Sequence, residues 1–324
     1  MIDRHTIKVG SAVRIYRGPD GTPDWVEARR RGIGGSDIAS ILRAEGAYRT
    51  PYEIWCDKTG RGKDKPADRL LEAGHYAEIA MQHWYRDHLL DGKYLAVQPG
   101  TFRSQTRPWQ IANPDALVVE PRHQLSSASR VLEFKFVPNT SDKWHVGGGD
   151  ITTGNTRPDI PEKYWQQCQW YMHVLDLPVT DIVAMGGFGI HCWRITANRD
   201  WQEDAARQAA DFWATVEADL DVHWEPEPAN YEADRRRHPH ITAATVTATA
   251  DTVIAWREYQ RYHTSFMTTQ KTDTAARRGL QARMAHEMGD AGTLALPDGT
   301  VLATRTAKRN ADGTPGTPFV SIRK

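Results

Sequence analysis

Two short apolar runs constrain this chain more than any other feature. One is ALVVE, directly after the turn Asn113-Pro114-Asp115; the other is VLEFKFV at 131–137, beyond the polar loop RHQLSSASR. Apolar runs of this length bounded by turn residues read as β-strands. In a strand, side chains two apart share a face. Glu133 and Lys135 therefore point one way, and Leu132, Phe134 and Phe136 point the other way into a core. A lone acid–base pair on an apolar strand more often forms a solvent-facing salt bridge than a site. Asp115 changes the balance, because it stands where the turn enters the first strand. Neighbouring strands would bring Asp115 and Glu133 within reach of one ion, although Pro114-Asp115 also suits an ordinary turn.

The clearest helix runs from Asp68 to Leu90, where Leu71, Gly74, Glu78, Met81 and Tyr85 recur at steps of three and four. This stripe predicts that Glu78 lies on the buried face. A carboxylate there is costly unless paired or bound to a metal; the alternative places Glu78 at the rim. His75 and His83 flank it and read as solvent-facing. Three carboxylates and a lysine form an oxygen-rich set that suits Mg²⁺, with Mn²⁺ as a substitute. Such a set fits metal-assisted hydrolysis of a phosphodiester.

Other elements follow from local signals. IGGSDIASIL reads as a Gly-rich turn entering a helix, with Ser36 and Asp37 as N-cap candidates. TPYEIWCDKTG and PEKYWQQCQWYMHVL read as helices. DIVAMGG and GIHCWRI read as a hairpin, and a helix is expected from Trp201 to Leu220. WEPEPANYEADRRRHP is Pro-rich and polar and reads as a boundary. Beyond it, Trp256, Tyr259, Tyr262, His263 and Phe266 mark a helix, Thr274 to Met288 a second, and LALPDGTVLAT a hairpin.

The 324 residues carry 41 basic and 41 acidic side chains, so nucleic-acid binding would need a local basic surface. Arginines and lysines do crowd positions 29–65. Three cysteines without a C-x-x-C pair exclude a zinc ribbon or a four-cysteine iron–sulfur cluster within one chain. The absence of an apolar leader or spanning run predicts a cytoplasmic protein without membrane contact.

With these residues in view, the chain resembles the YqaJ-like viral recombinase family, relatives of the phage lambda exonuclease within the PD-(D/E)XK nucleases. The resemblance rests on WVEARRRGIGGSDIASIL, TPYEIWCDKTG, GHYAE, NPDALV, LEFKF and PEKYWQQCQWYM, between about Trp25 and Asp221. It implies metal ligation by Glu78, Asp115 and Glu133, and a catalytic lysine at Lys135. It also implies a Y-x-x-Q helix with Gln167 near the site and Tyr164 supporting it. Arg29 and Ser36 align with residues that hold a 5′-terminal phosphate, a role that suits a guanidinium and a helix start. Trp25 reads as core, and Arg30 and Arg31 as a solvated charge run.

The expected fold is α/β: a restriction-endonuclease-like core with a central mixed sheet flanked by helices, plus a C-terminal helical and β-hairpin extension. The expected organisation is a nuclease core at 1–228, a linker at 229–244 and the extension at 245–324. The resemblance implies a Mg²⁺-dependent 5′-to-3′ exonuclease on double-stranded DNA ends, acting in a phage or prophage setting. It further implies a single-strand annealing partner and a homo-oligomeric ring. The alternatives are an endonuclease on the same core and a catalytically silent DNA-binding module.

Overall fold

The computed structural model describes residues 7–19, 21–62, 69–90, 92–120, 124–138, 144, 151–152, 160–265, 270–310 and 314–323. The side chains of 69–71, 151–152, 262–265 and 270–275 are outside the description. Two compact units result: Met1–Tyr48 with Asp64–Leu220, and Arg49–Lys63 with Asp221–Lys324.

The first unit opens with β1 (Lys8–Val9), β2 (Ala12–Tyr16), α1 (Pro23–Arg30) and α2 (Gly35–Ile41). The next helix, α3 (Pro51–Lys58), groups with the second unit. The first unit continues with α4 (Arg69–Leu89), β3 (Tyr94–Val97), β4 (Thr101–Ser104), β5 (Ile111–Ala112), β6 (Ala116–Val119) and β7 (Arg130–Val137). It ends with β8 (Ile151–Thr152), α5 (Glu162–Leu175), β9 (Val179–Gly186), β10 (Gly189–Thr196) and α6 (Arg199–Glu217). Strands β1, β2, β4 and β5 form an antiparallel sheet in that order, which sequence reading did not foresee. The central sheet has the order β3-β6-β7-β9-β10-β8 and is mixed. β6 and β7 are antiparallel neighbours, as the two apolar runs required, and β7 runs parallel to β9.

The period-two pattern of β7 gives the central sheet two buried faces. Leu132 and Phe134 pack with Ala77, Met81 and Tyr85 of α4. Val137 packs on the opposite side with Trp165, Cys168 and Met172 of α5. Burying an aliphatic side chain such as Leu132 or Met81 contributes about 1.5–3 kcal/mol relative to exposure. The α4 stripe needs one correction. Ala77, Met81, Gln82 and Tyr85 are its buried positions, whereas Glu78 and Gly74 are half-buried. Glu78 thus lies at the rim of the face. His75 and His83 are exposed.

Caps explain several boundaries. Thr22 accepts from Trp25 N–H before α1, and Asn198 from Trp201 N–H before α6. At α2 the N-cap is Gly34, and Asp37 reaches back to accept from its N–H at 3.0 Å. Neither Ser36 nor Asp37 is the N-cap itself.

In the second unit, α3 is joined by α7 (Pro228–Arg237), β11 (Thr242–Thr247), α8 (Ala250–Ser265), α9 (Gln270–Met288), β12 (Ala291–Ala295), β13 (Val301–Thr306) and β14 (Phe319–Ile322). Much of the segment read as a linker is helical. Tyr231 of α7 enters a core with Leu280, Met284, Leu294 and Leu302. The buried Asp234 accepts from Tyr52 Oη at 2.6 Å and Trp224 Nε1 at 2.9 Å. β12 and β13 form the expected hairpin. Tyr262, His263 and Phe266, and most of the Gly-rich loop 139–159, lie outside the described side chains. Among the described residues no helix is long and apolar enough to cross a membrane.

Candidate active site

The register of β6 against β7 pairs Ala116 with Leu132 and sets Asp115 beside the middle of β7. Asp115 Oδ2 accepts from Phe134 N–H at 2.7 Å. Glu133 is buried at 1% exposure, on the α5 side of the sheet. Its Oε1 accepts from Lys135 Nζ and, at 2.6 Å, from Gln167 Nε2 of α5. Gln167 is fixed in turn by Tyr171 Oη at 3.1 Å. The other oxygen, Glu133 Oε2, is buried and has no hydrogen-bond partner among the described residues. Burial and the neighbouring Asp115 charge push the Glu133 carboxyl up to about 8, against the pull of Lys135, and Glu78 adds to the rise. For Lys135, burial works against the charge, but Glu133 and Asp115 outweigh it and raise the ammonium's pKa.

An unpartnered buried carboxylate oxygen is expensive. It is the arrangement expected of a ligand whose cation supplies the missing contact. Glu78 sits close enough for its charge to act on Glu133, and accepts from Gln82 Nε2 at 3.3 Å. The carboxylates do not form a closed cage: among the described residues, no group of three or more His, Cys, Asp or Glu is spaced to hold an ion. Lys135 and Gln167 draw on Glu133, and the β7 backbone draws on Asp115.

Arg29 and Ser36 are brought together. Arg29 Nη2 donates to Ser36 Oγ at 3.0 Å, lies 3.8 Å from the buried Asp37 carboxylate, and stacks over the Trp25 ring at 4.7 Å. Trp25 is half-buried and carries the guanidinium, so it is not a core residue. Arg30 and Arg31 both pair with Glu27, as a solvated run should. Gly35 ties this element to α5. A Cβ there would lie 2.6 Å from the Tyr171 ring and 2.9 Å from Gln167 Cγ. Trp170 Nε1 completes the attachment by donating to the carbonyls of Ile33 and Ile111 at 3.0 and 3.2 Å.

Glu78, Asp115, Glu133, Lys135, Tyr164, Gln167, Arg29 and Ser36 all fall within one matched stretch. Residues 24–181 match the family model of the YqaJ-like viral recombinase domain. The chain is also similar to the uncharacterised protein YqaJ of Bacillus subtilis strain 168, at 28% identity over 153 residues. That match covers 47% of this chain and 42% of the relative, so the chain spans under half the length of the curated protein it resembles. Two solved structures of the alkaline exonuclease LHK-Exo of Laribacter hongkongensis are similar as well. The one in complex with dAMP has 17% identity and a TM-score of 0.45; the other has 18% and 0.44. Each alignment covers 62% of this chain and 95% of the exonuclease.

Further residues that sequence reading missed border the candidate site. Tyr48 Oη and Tyr164 Oη are 2.5 Å apart, and Lys163 Nζ lies 3.7 Å from the Tyr48 ring centroid. Lys135 Nζ is 5.2 Å from the Tyr164 ring. A cation–aromatic row therefore leads outward from Glu133 to the exposed Tyr48. Lys163 adjoins Tyr164 in sequence and offered a signal. Tyr48, more than a hundred residues away, offered none. Tyr171, one helical turn after Gln167, was recoverable from spacing.

Proposed function

We propose that this chain is a Mg²⁺-dependent DNA exonuclease that degrades linear duplex DNA from 5′ ends and leaves 3′ single strands for recombination. The observation that carries this reading is Glu133: a buried carboxylate with one oxygen held by Lys135 and Gln167 and the other unpartnered, within a YqaJ-like viral recombinase domain.

Glu133 Oε2, Asp115 and Glu78 would hold the cation, and oxygen donors are what Mg²⁺ prefers. Bound there, it supplies Lewis-acid charge to the scissile phosphate and its attacking water. Lys135 keeps its proton on Nζ, orients the water and offsets the negative charge that develops on the phosphate. Gln167 holds Glu133 in its rotamer, and Tyr171 holds Gln167. Arg29 and Ser36 present a guanidinium edge and a hydroxyl to a terminal phosphate, which carries more charge than an internal diester. A single-strand annealing partner and a homo-oligomeric ring belong to the same reading.

End-labelled linear duplex and closed circular DNA, incubated with Mg²⁺ or with EDTA, test it. Linear DNA should be shortened from the 5′ end in Mg²⁺ only, and Asp115→Ala should abolish this while the protein stays folded, at a cost of about 1–3 kcal/mol for the Phe134 N–H left without its acceptor. Arg29→Ala should slow 5′-phosphorylated ends far more than 5′-hydroxyl ends. Rapid nicking of circles would turn the reading to an endonuclease, and wild-type digestion by Asp115→Ala would remove the site assignment.

A further inference from the structure

We propose that the groove between the β1–β2 hairpin and residues 94–99 is a track for the phosphodiester backbone of DNA, separate from the terminal-phosphate grip at Arg29. The proposal rests on the nuclease reading above and extends it to where the duplex lies.

The groove is lined by Lys8, Arg14 and Arg17, with Gln98, Gln124 and Ser126 among its polar groups. No carboxylate lines it among the described residues. The chain as a whole has equal numbers of acidic and basic side chains, so the groove is a local excess of positive charge. Several arginines elsewhere are matched by carboxylates: Arg30 and Arg31 with Glu27, Arg107 with Glu203, Arg130 and Arg194 with Asp181, Arg199 with Asp176, and Arg237 with Asp221. Arg14 donates to the Pro99 carbonyl at 3.4 Å, which fixes its guanidinium against the groove wall. Burial, together with the charge of Arg17, lowers the Arg14 pKa, the mark of cations held close without a counter-charge. Among the described residues the groove therefore offers a positive surface without a carboxylate, flanked by neutral donors, the set that phosphate backbones recruit.

Its position links it to the carboxylates. Val97 pairs with Ala116, and Gln98 N–H donates to the Asp115 carbonyl at 2.9 Å. The groove wall is thus bonded to the residue that enters β6. A strand whose scissile phosphate lay at Asp115 and Glu133 would meet Arg14 and Lys8 along one flank. Contacts there would add affinity and orientation without touching the reacting atoms.

The test measures binding of the full chain to a long duplex in EDTA by fluorescence anisotropy over a range of salt. For Arg14→Ala/Arg17→Ala the slope of log affinity against log salt should fall by about two, since each backbone contact contributes roughly 0.9. Cleavage of a duplex too short to reach the groove should stay at the wild-type rate. Arg17→Glu alone, at an exposed position, guards against misfolding and should weaken long-duplex binding in the same direction. Salt slopes equal to wild type in both variants would overturn the groove. A wild type that binds but never cleaves would sink the nuclease reading and leave the groove standing; a wild type that cleaves while the groove variants bind unchanged would do the reverse.

Discussion

Glu133 and Asp181 are both buried carboxylates on neighbouring strands of one sheet, and they differ in how they are satisfied. The register pairs Asp181 with Leu132 and Glu133 with Ile182, so the two side chains leave the sheet on opposite faces. Asp181 accepts from Tyr85 Oη, Arg130 Nη1 and both Nε and Nη2 of Arg194, all at 2.7–2.8 Å. Glu133 shares one oxygen between Lys135 and Gln167 and leaves the other unpartnered among the described residues. Burial alone does not separate a structural charge from a working one. The state of the last lone pair does: a closed network holds the fold, and an open one is stabilised when a ligand arrives.

Exchanging the losses at these two positions is the sharpest way to break the comparison. Glu133→Gln should reduce cleavage to background and change the metal-free melting temperature far less than Asp181→Ala does, because the amide keeps an oxygen for Lys135 and Gln167. Asp181→Ala should cost about 3–5 kcal/mol by stranding two arginines, while the folded fraction keeps its specific activity. Thermal melts and duplex digestion on the same preparations check both, and a Glu133→Gln protein that melts early but still cuts would erase the distinction.

The cationic partners should divide in the same way with a smaller effect. Lys135→Ala should lower turnover by about 10²–10³-fold, as loss of a preorganised charge at the reacting phosphate does, with little change in melting temperature. Arg194→Ala should lower the melting temperature and spare turnover. If Lys135→Ala instead loses stability and keeps its rate, the pair with Glu133 is a structural salt bridge.

The neutral partners give the smallest contrast. Gln167→Leu should raise the Mg²⁺ concentration needed for half-maximal cleavage by roughly 10–100-fold, through loss of a group that orients a ligand. Tyr85→Phe should leave that requirement unchanged and cost about 1–3 kcal/mol of stability. A Mg²⁺ titration of activity separates them, and equal midpoints for Gln167→Leu and wild type would count against its positioning role.

Where a residue's neighbours are near in sequence or follow a strict period, the chain could be read directly. The alternation in LEFKF gives the two faces of β7, and the Pro-Asp turn before ALVV puts Asp115 beside it. The helical spacing in PEKYWQQCQWYM carries Gln167 and Tyr171 to one side of α5. The N-terminal antiparallel sheet escaped because its strands are short and pair across almost a hundred residues, as Arg14 with Phe102 shows. Of the two placements that the sequence leaves open for Glu78, the structure has the rim, since a one-residue rotation of the α4 stripe leaves its period unchanged. The segment 229–244 reads as a linker because the prolines before it and its three arginines mask the inward Tyr231 and Asp234 of α7. Asp181 could not be told from Asp115 by sequence, since its arginine partners come from β7 and β10.

The absence of a side chain at Gly35 has a consequence for step length. Arg29 is bonded to Ser36, Gly35 rests on Gln167 and Tyr171, and Gln167 holds Glu133. On the exonuclease reading, the grip at Arg29 and the cutting carboxylate Glu133 are therefore both indexed to Gln167 and Tyr171 of α5. α5 then works as a gauge: the interval between gripped end and cut bond is set by the close approach of the Gly35 backbone to that helix. A methyl at position 35 would not remove a ligand or a charge. It would lengthen the gauge, and the products of each cut would change in size before the rate of cutting did.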